Sequence, residues 1–354
     1  MKLSKLLLVV LVGCSGISSV SRADRLGVEY SAASDALIYG GSRYYFSSRS
    51  PDDVQTLYVR NSGAVSGEVM FNGEGALTDI RASHQAGLVG VVERLLEMNV
   101  AKERANYVSR QYDERGNLVE VYHYEDARLL LLNLNGEVLH RIPGVRRYAW
   151  SPEGDQIAYI TGRFTEDGVG FETTGAWLYD IESKQATQIH EGGLDIQWAL
   201  WDNNVYIYDP ANEEFPESIV YRFDVAEGSA GRTSFKGIYF SPDGTYYYDP
   251  GYDAASIRIF RTQTGEQVSV DLSLPSAGAV RTANSAVGWL DDNTLILPTP
   301  IQGEGGDYLY DVVTTTLWQA DGLIIPTPRL GDSLLVMDGA DVDEVPKNAL
   351  RLVR

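Results

Sequence analysis

The chain has 354 residues, of which 44% are hydrophobic and 22% charged, so its composition is that of a globular protein and excludes global disorder. Its 49 acidic side chains against 29 lysines and arginines give a net charge of -20, which disfavours nucleic acid and anionic lipid as partners. The single cysteine, Cys14, excludes an intramolecular disulfide and a cysteine-based metal cluster. The 22 tyrosines and 35 glycines are typical of half-exposed strands joined by tight turns.

The first residues predict export and lipid anchoring. A basic start precedes an apolar run at residues 6–12, which is typical of a secretory signal and too short to span a bilayer. The following Leu-Val-Gly-Cys14 resembles the lipobox of bacterial lipoproteins, and that resemblance implies that Cys14 is lipidated and becomes the mature N terminus. We therefore predict a signal peptide at residues 1–13 and a tether at residues 14–25, with ordinary cleavage after Ala23 as the alternative.

The central part of the chain repeats one unit. The segment Trp150-Ser-Pro-Glu-Gly154 is nearly copied by Phe240-Ser-Pro-Asp-Gly244, about 90 residues later, which is twice a period of about 45. Looser copies begin at Tyr112, Trp201 and Trp289. In each unit an aromatic residue ends a strand, a turn reverses the chain, and a strand of alternating apolar residues follows.

This period predicts an all-β fold, a β-propeller with about seven four-stranded blades, in a single domain over residues 26–354. Six or eight blades are the alternatives. A propeller of this kind would close its ring by sharing the short last unit, which starts at Leu330, with strands near the N terminus. Residues 87–105 fit a short helix as well as a strand.

The Trp-Ser-Pro-Glu-Gly-x-x-Ile-Ala-Tyr signature that begins at Trp150 resembles the WD-like repeats of TolB-type periplasmic propellers and of oligopeptidase propeller domains. Units over residues 107–300 carry the resemblance, and the flanks match poorly. The resemblance implies a propeller fold and carries little information about chemistry. No Gly-x-Ser-x-Gly motif occurs, and no room remains for a hydrolase domain.

The order of turns in a blade predicts where a ligand binds. Tight turns occupy one face of the disc, and the longer second-turn loops at residues 162–174, 209–217, 249–253 and 299–307 occupy the opposite face, named here the loop face. Its acidic and aromatic side chains suit a cationic peptide, a sugar or a basic protein surface. They include Glu166, Asp167, Phe171, Glu172, Glu213, Glu214, Glu217, Asp249, Tyr252, Asp253, Glu304 and Asp307. The alternative is that these acids serve solubility alone.

We therefore expect a binding or scaffolding lipoprotein of the cell envelope, anchored to the outer membrane and facing the periplasm or the surface. Its partner would be a protein or peptide, with a basic one favoured, and no nucleic acid. The alternative is an extracellular enzyme that acts on carbohydrate or peptide through carboxylates at the central funnel. The sequence predicts no catalytic residue, cofactor or metal. A weak calcium site among the acids of residues 338–344, or a solvated loop there, is left open.

Overall fold

Short runs of alternating apolar and polar residues form strands, and Gly, Pro, Asn and Asp residues separate them. The computed structural model describes residues 28–29, 37–39, 43–47, 55–61, 68–83, 85–112, 115–164, 171–209, 218–249, 258–268, 288–297, 308–320, 323–330, 333–338, 341–346 and 349–353. Within these ranges it has 29 β-strands and no α-helix. No helix in the described ranges has the length and hydrophobicity that crossing a bilayer requires.

The described strands form seven antiparallel sheets, numbered I to VII in the order in which they follow along the chain. Sheet I contains β2 (Leu37–Tyr39), β3 (Arg43–Ser47), β4 (Thr56–Asn61) and β5 (Glu68–Asn72). Sheet II contains β1 (Val28–Glu29), β6 (Ala76–Ser83), β7 (Leu88–Met98), β8 (Tyr107–Tyr112), β9 (Leu118–Asn133) and β10 (Val138–Pro143). Sheet III contains β11 (Val145–Trp150), β12 (Gln156–Phe164), β13 (Phe171–Asp180) and β14 (Gln185–His190).

The remaining sheets continue the same meander. Sheet IV contains β15 (Asp195–Ala199), β16 (Asn204–Asp209), β17 (Ile219–Asp224) and β18 (Ser229–Arg232), and sheet V contains β19 (Tyr239–Phe240), β20 (Tyr246–Asp249) and β21 (Arg258–Arg261). Sheet VI contains β22 (Gly288–Trp289), β23 (Thr294–Leu297), β24 (Tyr308–Asp311), β25 (Thr316–Gln319) and β29 (Arg351–Val353). Sheet VII contains β26 (Leu323–Leu330), β27 (Ser333–Asp338) and β28 (Asp341–Pro346). The predicted all-β propeller class is confirmed, and the number of blades stays a prediction.

The repeated turns take the predicted form. β11 ends at Trp150 and β12 begins after the Ser-Pro-Glu-Gly turn, in which Gly154 has a φ of 74°. A Cβ at Gly154 would overlap the hydroxyl of Ser83 and lie 2.8 Å from the backbone nitrogen of Ala86, so the turn packs closely against sheet II. The second copy, before β20, has the same left-handed glycine, Gly244. The motif therefore specifies both the reversal of the chain and the contact with the preceding sheet.

The ambiguous stretch at residues 87–105 begins with the strand β7. Its first positions are buried on both faces: Val89 and Val91 pack towards sheet I, and Val92 packs towards sheet III. A strand covered on both sides is continuously apolar and lacks the alternation that identifies a half-exposed strand. That is why the sequence pattern alone left this segment undecided.

Buried aromatic residues link the innermost strands of neighbouring sheets. Trp150 of sheet III donates from Nε1 to the backbone oxygen of Arg81 in sheet II (3.3 Å), and Tyr148 donates from its hydroxyl to the backbone oxygen of Asp79 (2.9 Å). Trp289 of sheet VI makes the equivalent bond to sheet V (2.9 Å). Burying large rings with their polar atoms paired stabilises the contact between sheets and fixes the side chains of the inner strands.

The terminal strands differ from the expected ring closure. β1 pairs with β6 in sheet II, and β29 pairs with β25 at the edge of sheet VI. In the part of the chain that the structure describes, sheet VII is made only of β26, β27 and β28. The C-terminal strand covers the outer edge of β25, which would otherwise present unpaired backbone groups, and this accounts for its pairing there.

Candidate functional site

We name the acidic and aromatic residues predicted on the loop face the acidic rim. Most of them lie outside the described residues, as does the predicted lipidation site Cys14. The rim residues outside are Glu166, Asp167, Glu213, Glu214, Glu217, Tyr252, Asp253, Glu304 and Asp307. Their grouping on the loop face therefore stays a prediction. The structure describes Glu172 and Asp249, together with the backbone of Phe171.

The described rim residues lie in strands, because the strands extend further than the sequence pattern indicated. Phe171 and Glu172 begin β13, and the exposed carboxylate of Glu172 lies 3.2 Å from Arg163 at the end of β12. Asp249 ends β20, and its side chain is buried and bonded to Arg258 of β21. Asp249 is thus an internal partner of an arginine, in contrast to the exposed loop residue that the sequence suggested.

The loop face carries a structure that the sequence analysis missed. Beyond the body of sheet II, β7 and β9 continue side by side until Met98 pairs with His123. β8 pairs with the other edge of β9, from Tyr107 opposite His123 to Tyr112 opposite Leu118. We name residues 95–126 the β-extension. It replaces the second-turn loop of sheet II and therefore lies on the loop face.

One side of the β-extension carries exposed apolar residues. Residues paired across antiparallel strands point to the same side, so Leu96, Met98 and Val119 share the side that, lower in the sheet, packs against sheet III. Leu96 is 57% exposed and Met98 63% exposed. Leu96, Met98 and Val119 are three of the nine exposed large hydrophobic residues in the described part of the chain, and a fourth, Leu118, lies on the opposite side of the β-extension. Such a concentration is typical of a contact surface.

A cluster of side chains around His123 lies inside the β-extension. Tyr107 stacks on the buried ring of His123 with centroids 4.6 Å apart, and Ser109 Oγ lies 2.6 Å from His123 Nε2. Burial, with a smaller effect of Glu125, raises the pKa of Tyr107. The other ring nitrogen of His123, Nδ1, is buried and has no hydrogen-bond partner among the described residues. In a serine–histidine nucleophile a further group orients the histidine, and no described residue does so for His123.

Four arginines lie on strands β6, β7 and β11, where sheets II and III adjoin, and we name Arg81, Arg94, Arg146 and Arg147 the arginine cluster. Arg146 donates from Nη1 and Nη2 to the two carboxylate oxygens of Glu125 (2.6 and 3.3 Å). Arg81 donates from Nε to Asp79 Oδ1 (2.9 Å). All four of these paired side chains are at least nine-tenths buried.

Arg94 differs from these paired arginines. Its Nε is buried and has no acceptor among the described residues. Burial, together with the positive charges of Arg147 and Arg146, lowers the pKa of Arg94, and Glu125 and Asp79 offset this only in part. The sequence signal that was missed is the dipeptide Arg146-Arg147 at the start of an inner strand, in a chain of net charge -20.

A buried carboxylate continues this polar region into sheet IV. Asp195 accepts hydrogen bonds from the hydroxyl of Tyr239 (2.6 Å) and from the backbone nitrogen of Ile196 (2.8 Å). Burial raises the pKa of Asp195, and the positive charges of Arg147 and Arg81 reduce that effect. Asp79, Asp195 and Asp249, from three different sheets, are thus each bonded to an arginine or a tyrosine. Among the described residues, no three metal-ligating side chains form a group that could hold a metal ion.

Comparisons with known proteins give fold neighbours. No protein-family model matches the sequence, and no curated protein matches it. Among solved structures, TolB from Acinetobacter baumannii is 13% identical over 88% of this chain and 65% of its own length, just under two thirds (TM-score 0.45). An oligogalacturonate lyase in complex with manganese is 10% identical over 83% of this chain and 87% of its own length (TM-score 0.49). The β-propeller domain of the Trilobed protease from Pyrococcus furiosus is 14% identical over 76% and 82% (TM-score 0.40). These likenesses concern the fold alone.

Proposed function

We propose that the chain is a binding module of the cell envelope that holds a protein or peptide partner on its loop face. The observation that carries the proposal is the β-extension, which presents exposed Leu96, Met98 and Val119 on one side. When a partner covers exposed apolar side chains, the free energy falls by about 25 cal/mol for each Å² of apolar surface removed from water. A rigid sheet presents them without the entropy loss of ordering a loop.

The charge of the chain favours a partner with a basic surface. The net charge is -20, and the predicted rim adds acids around the same face, among them Glu213, Glu214 and Glu217. Complementary charge accelerates encounter and suppresses wrong partners more than it adds affinity. The apolar side of the β-extension would then supply the short-range contact, and the acids would supply the steering.

Lipid anchoring belongs to the same proposal. The lipobox-like Leu-Val-Gly-Cys14 would attach the chain to the outer membrane through Cys14, with residues 14–25 as the tether. Labelling cells with radioactive palmitate and replacing Cys14 by serine tests this step. We expect label on the wild type only, and equal label on Cys14→Ser would remove the anchor from the proposal.

The partner surface is tested by cross-linking in intact envelopes followed by mass spectrometry. The variant Leu96→Ser/Met98→Ser should lose the partner that the wild type captures. The matched control Val69→Ser/Val313→Ser changes two residues of similar exposure (55% and 62%) away from the β-extension, and it should retain that partner. Equal loss in both variants, or capture unchanged by the first, would contradict a role for the β-extension.

The charge contribution is tested in the same experiment. Replacing Glu213, Glu214 and Glu217 by lysine should slow association of the captured partner. Added salt should slow the wild type more than this variant, because salt screens long-range attraction. An association rate that is the same for both proteins at every salt concentration would remove the acidic rim from the proposal and leave the β-extension to be judged separately.

A further inference from the structure

We propose that the arginine cluster is a binding site for the carboxylate group of a small acid or of a peptide C terminus. The site lies where the base of the β-extension meets sheet III. It uses different residues from the exposed apolar side of the β-extension, so it stands independently of the protein partner proposed above.

Strand register places the arginines together. Arg94 of β7 is directly opposite Ala127 of β9, whose backbone oxygen accepts a hydrogen bond from the nitrogen of Gly144 (2.6 Å), just before β11. Two residues along β9 from Ala127, Glu125 binds Arg146. Arg146 therefore lies near Arg94, on the side of sheet II that faces sheet III, and Arg147 is the next residue on β11.

The charges in this cluster are incompletely compensated. Glu125 is held by Arg146, and Asp79 is held by Arg81, whereas the buried Nε of Arg94 has no acceptor among the described residues. A guanidinium stays charged, and a buried charged donor without an acceptor is unfavourable by several times the free energy of an ordinary hydrogen bond. The lowered pKa of Arg94, caused by burial and by its two positive neighbours, describes the same imbalance. A bound anion would correct it.

The backbone beside the cluster is strained. The pairing of β6 with β7 shifts between Thr78 and Arg81, and within that bulge Asp79 has a φ of 49°, a left-handed conformation that is unfavourable for a residue with a side chain. Tyr148 holds the bulge by its bond to the backbone oxygen of Asp79. Asp79 Oδ2 is buried and has no donor among the described residues. Bulges and strained residues of this kind occur preferentially at binding sites.

A carboxylate fits this chemistry better than other anions of similar size. The planar fork of an arginine binds two carboxylate oxygens side by side, as Arg146 already does with Glu125. Arg94 and Arg147 are only half-buried, so solvent reaches the site even though Nε of Arg94 is covered. The ligand carboxylate would accept hydrogen bonds from Arg94, as the carboxylate of Glu125 accepts them from Arg146.

Calorimetry on the full-length protein in detergent tests the site, at constant ionic strength. The probes are succinate with its uncharged diamide as control, and Gly-Gly-Gly with a free C terminus against its C-terminal amide. We expect saturable binding of succinate, of the free-acid tripeptide, or of both, and none of either uncharged probe. Arg94→Gln should weaken binding by about tenfold or more, the loss expected for one charge-assisted hydrogen bond. Arg94→Lys, which keeps the charge and loses the fork, should weaken it less.

Arg163→Gln is the matched control, because it removes one positive charge from an exposed ion pair on the same face. It should change the affinity by less than twofold. The same affinity in Arg94→Gln as in the wild type, an equal loss in both variants, or no saturable binding of either carboxylate would overturn the site.

Thermal unfolding without ligand separates a binding role from a structural one. Arg94→Gln should unfold at the same temperature as the wild type or higher, because it removes a charged group whose buried Nε has no acceptor among the described residues. A melting temperature several degrees lower would mean that Arg94 stabilises the fold, and would overturn the assignment.

Discussion

A buried ion pair joins the β-extension to sheet III. Glu125 lies on β9 within the β-extension, Arg146 lies near the start of β11, and their side chains are 8% and 10% exposed. Replacing Glu125 by glutamine keeps the shape of the side chain and removes its charge. Arg146 would then stay buried near Arg94 and lose the charge of Glu125 from its Nη1 and Nη2 groups.

The structure allows the effect of this change to be estimated. Removing one partner of a buried ion pair destabilises a protein by about 3–5 kcal/mol, mostly because the other charge is left uncompensated. Arg146 keeps its bond from Nε to the backbone oxygen of Gly162 (3.0 Å), so we expect about 3 kcal/mol, the lower end of that range. This is a large fraction of the total stability of about 5–15 kcal/mol that is usual for a folded domain.

Urea denaturation followed by tryptophan fluorescence measures the loss, since Trp150 is buried in the adjoining sheet. The control is Glu172→Gln, which breaks the exposed pair with Arg163 and should change stability by about 0–1 kcal/mol. Amide hydrogen exchange over residues 118–126 should accelerate in Glu125→Gln alone. If the two variants unfold at the same urea concentration and exchange equally, the β-extension is not held by this pair and the argument fails.

Two further predictions concern single buried positions. Burial raises the pKa of Asp195, so the folded state binds the proton of this carboxyl group more tightly than the unfolded chain does. The free energy of unfolding should therefore fall as the pH rises from about 4 through that raised pKa. Asp195→Asn should abolish the fall and be more stable at neutral pH. Urea midpoints across this pH range measure it, and parallel curves for the two proteins would contradict it. An alanine held in a left-handed conformation destabilises a protein by about 1–3 kcal/mol. Gly154→Ala should destabilise this one by more than that, because the new Cβ would also overlap Ser83. Gly116→Ala, with a φ of 79° and open space around it, is the control, and equal losses in both variants would refute the steric contribution.

The sequence predicted those parts of the fold that local chemistry determines. The Ser-Pro-Glu-Gly and Ser-Pro-Asp-Gly turns need a positive φ at Gly154 and Gly244, and only a few residue types supply it, so each turn was identified with the strands on both sides. The Asn135-Gly136 dipeptide is a signal of the same kind, and Gly136 has a φ of 84° in the turn between β9 and β10. In each case the residues that give the signal are the residues that form the turn.

The β-extension could not be predicted from local sequence signals of this kind. The hairpin after Tyr112 has the same aromatic, acidic and glycine pattern as a new repeat unit, and it was counted as one. Its true place depends on the pairing of Met98 with His123, which are far apart in the sequence. Register between distant strands is decided by which residues the packed sheets bury, and no local signal reports it.

The arginine cluster was missed for a related reason. Arg81, Arg94 and Arg146 belong to three strands and two sheets, and only the packing of those sheets brings them together. The acids could be grouped because they occur together in loops, whereas the arginines are single residues on separate strands. Asp249 shows the converse error, since a residue assigned to an acidic loop is the buried partner of Arg258.

The two proposed uses of the loop face are compatible because charge acts over different distances. At physiological ionic strength the field of an exposed charge is screened over about 8 Å, so the net charge of -20 is felt by an approaching surface and only weakly by a ligand already seated between two sheets. Inside the cluster, Arg146 and Arg147 act on Arg94 across protein, where screening is weaker. We therefore expect the acidic exterior to select a basic partner while the partly buried arginine cluster selects a carboxylate.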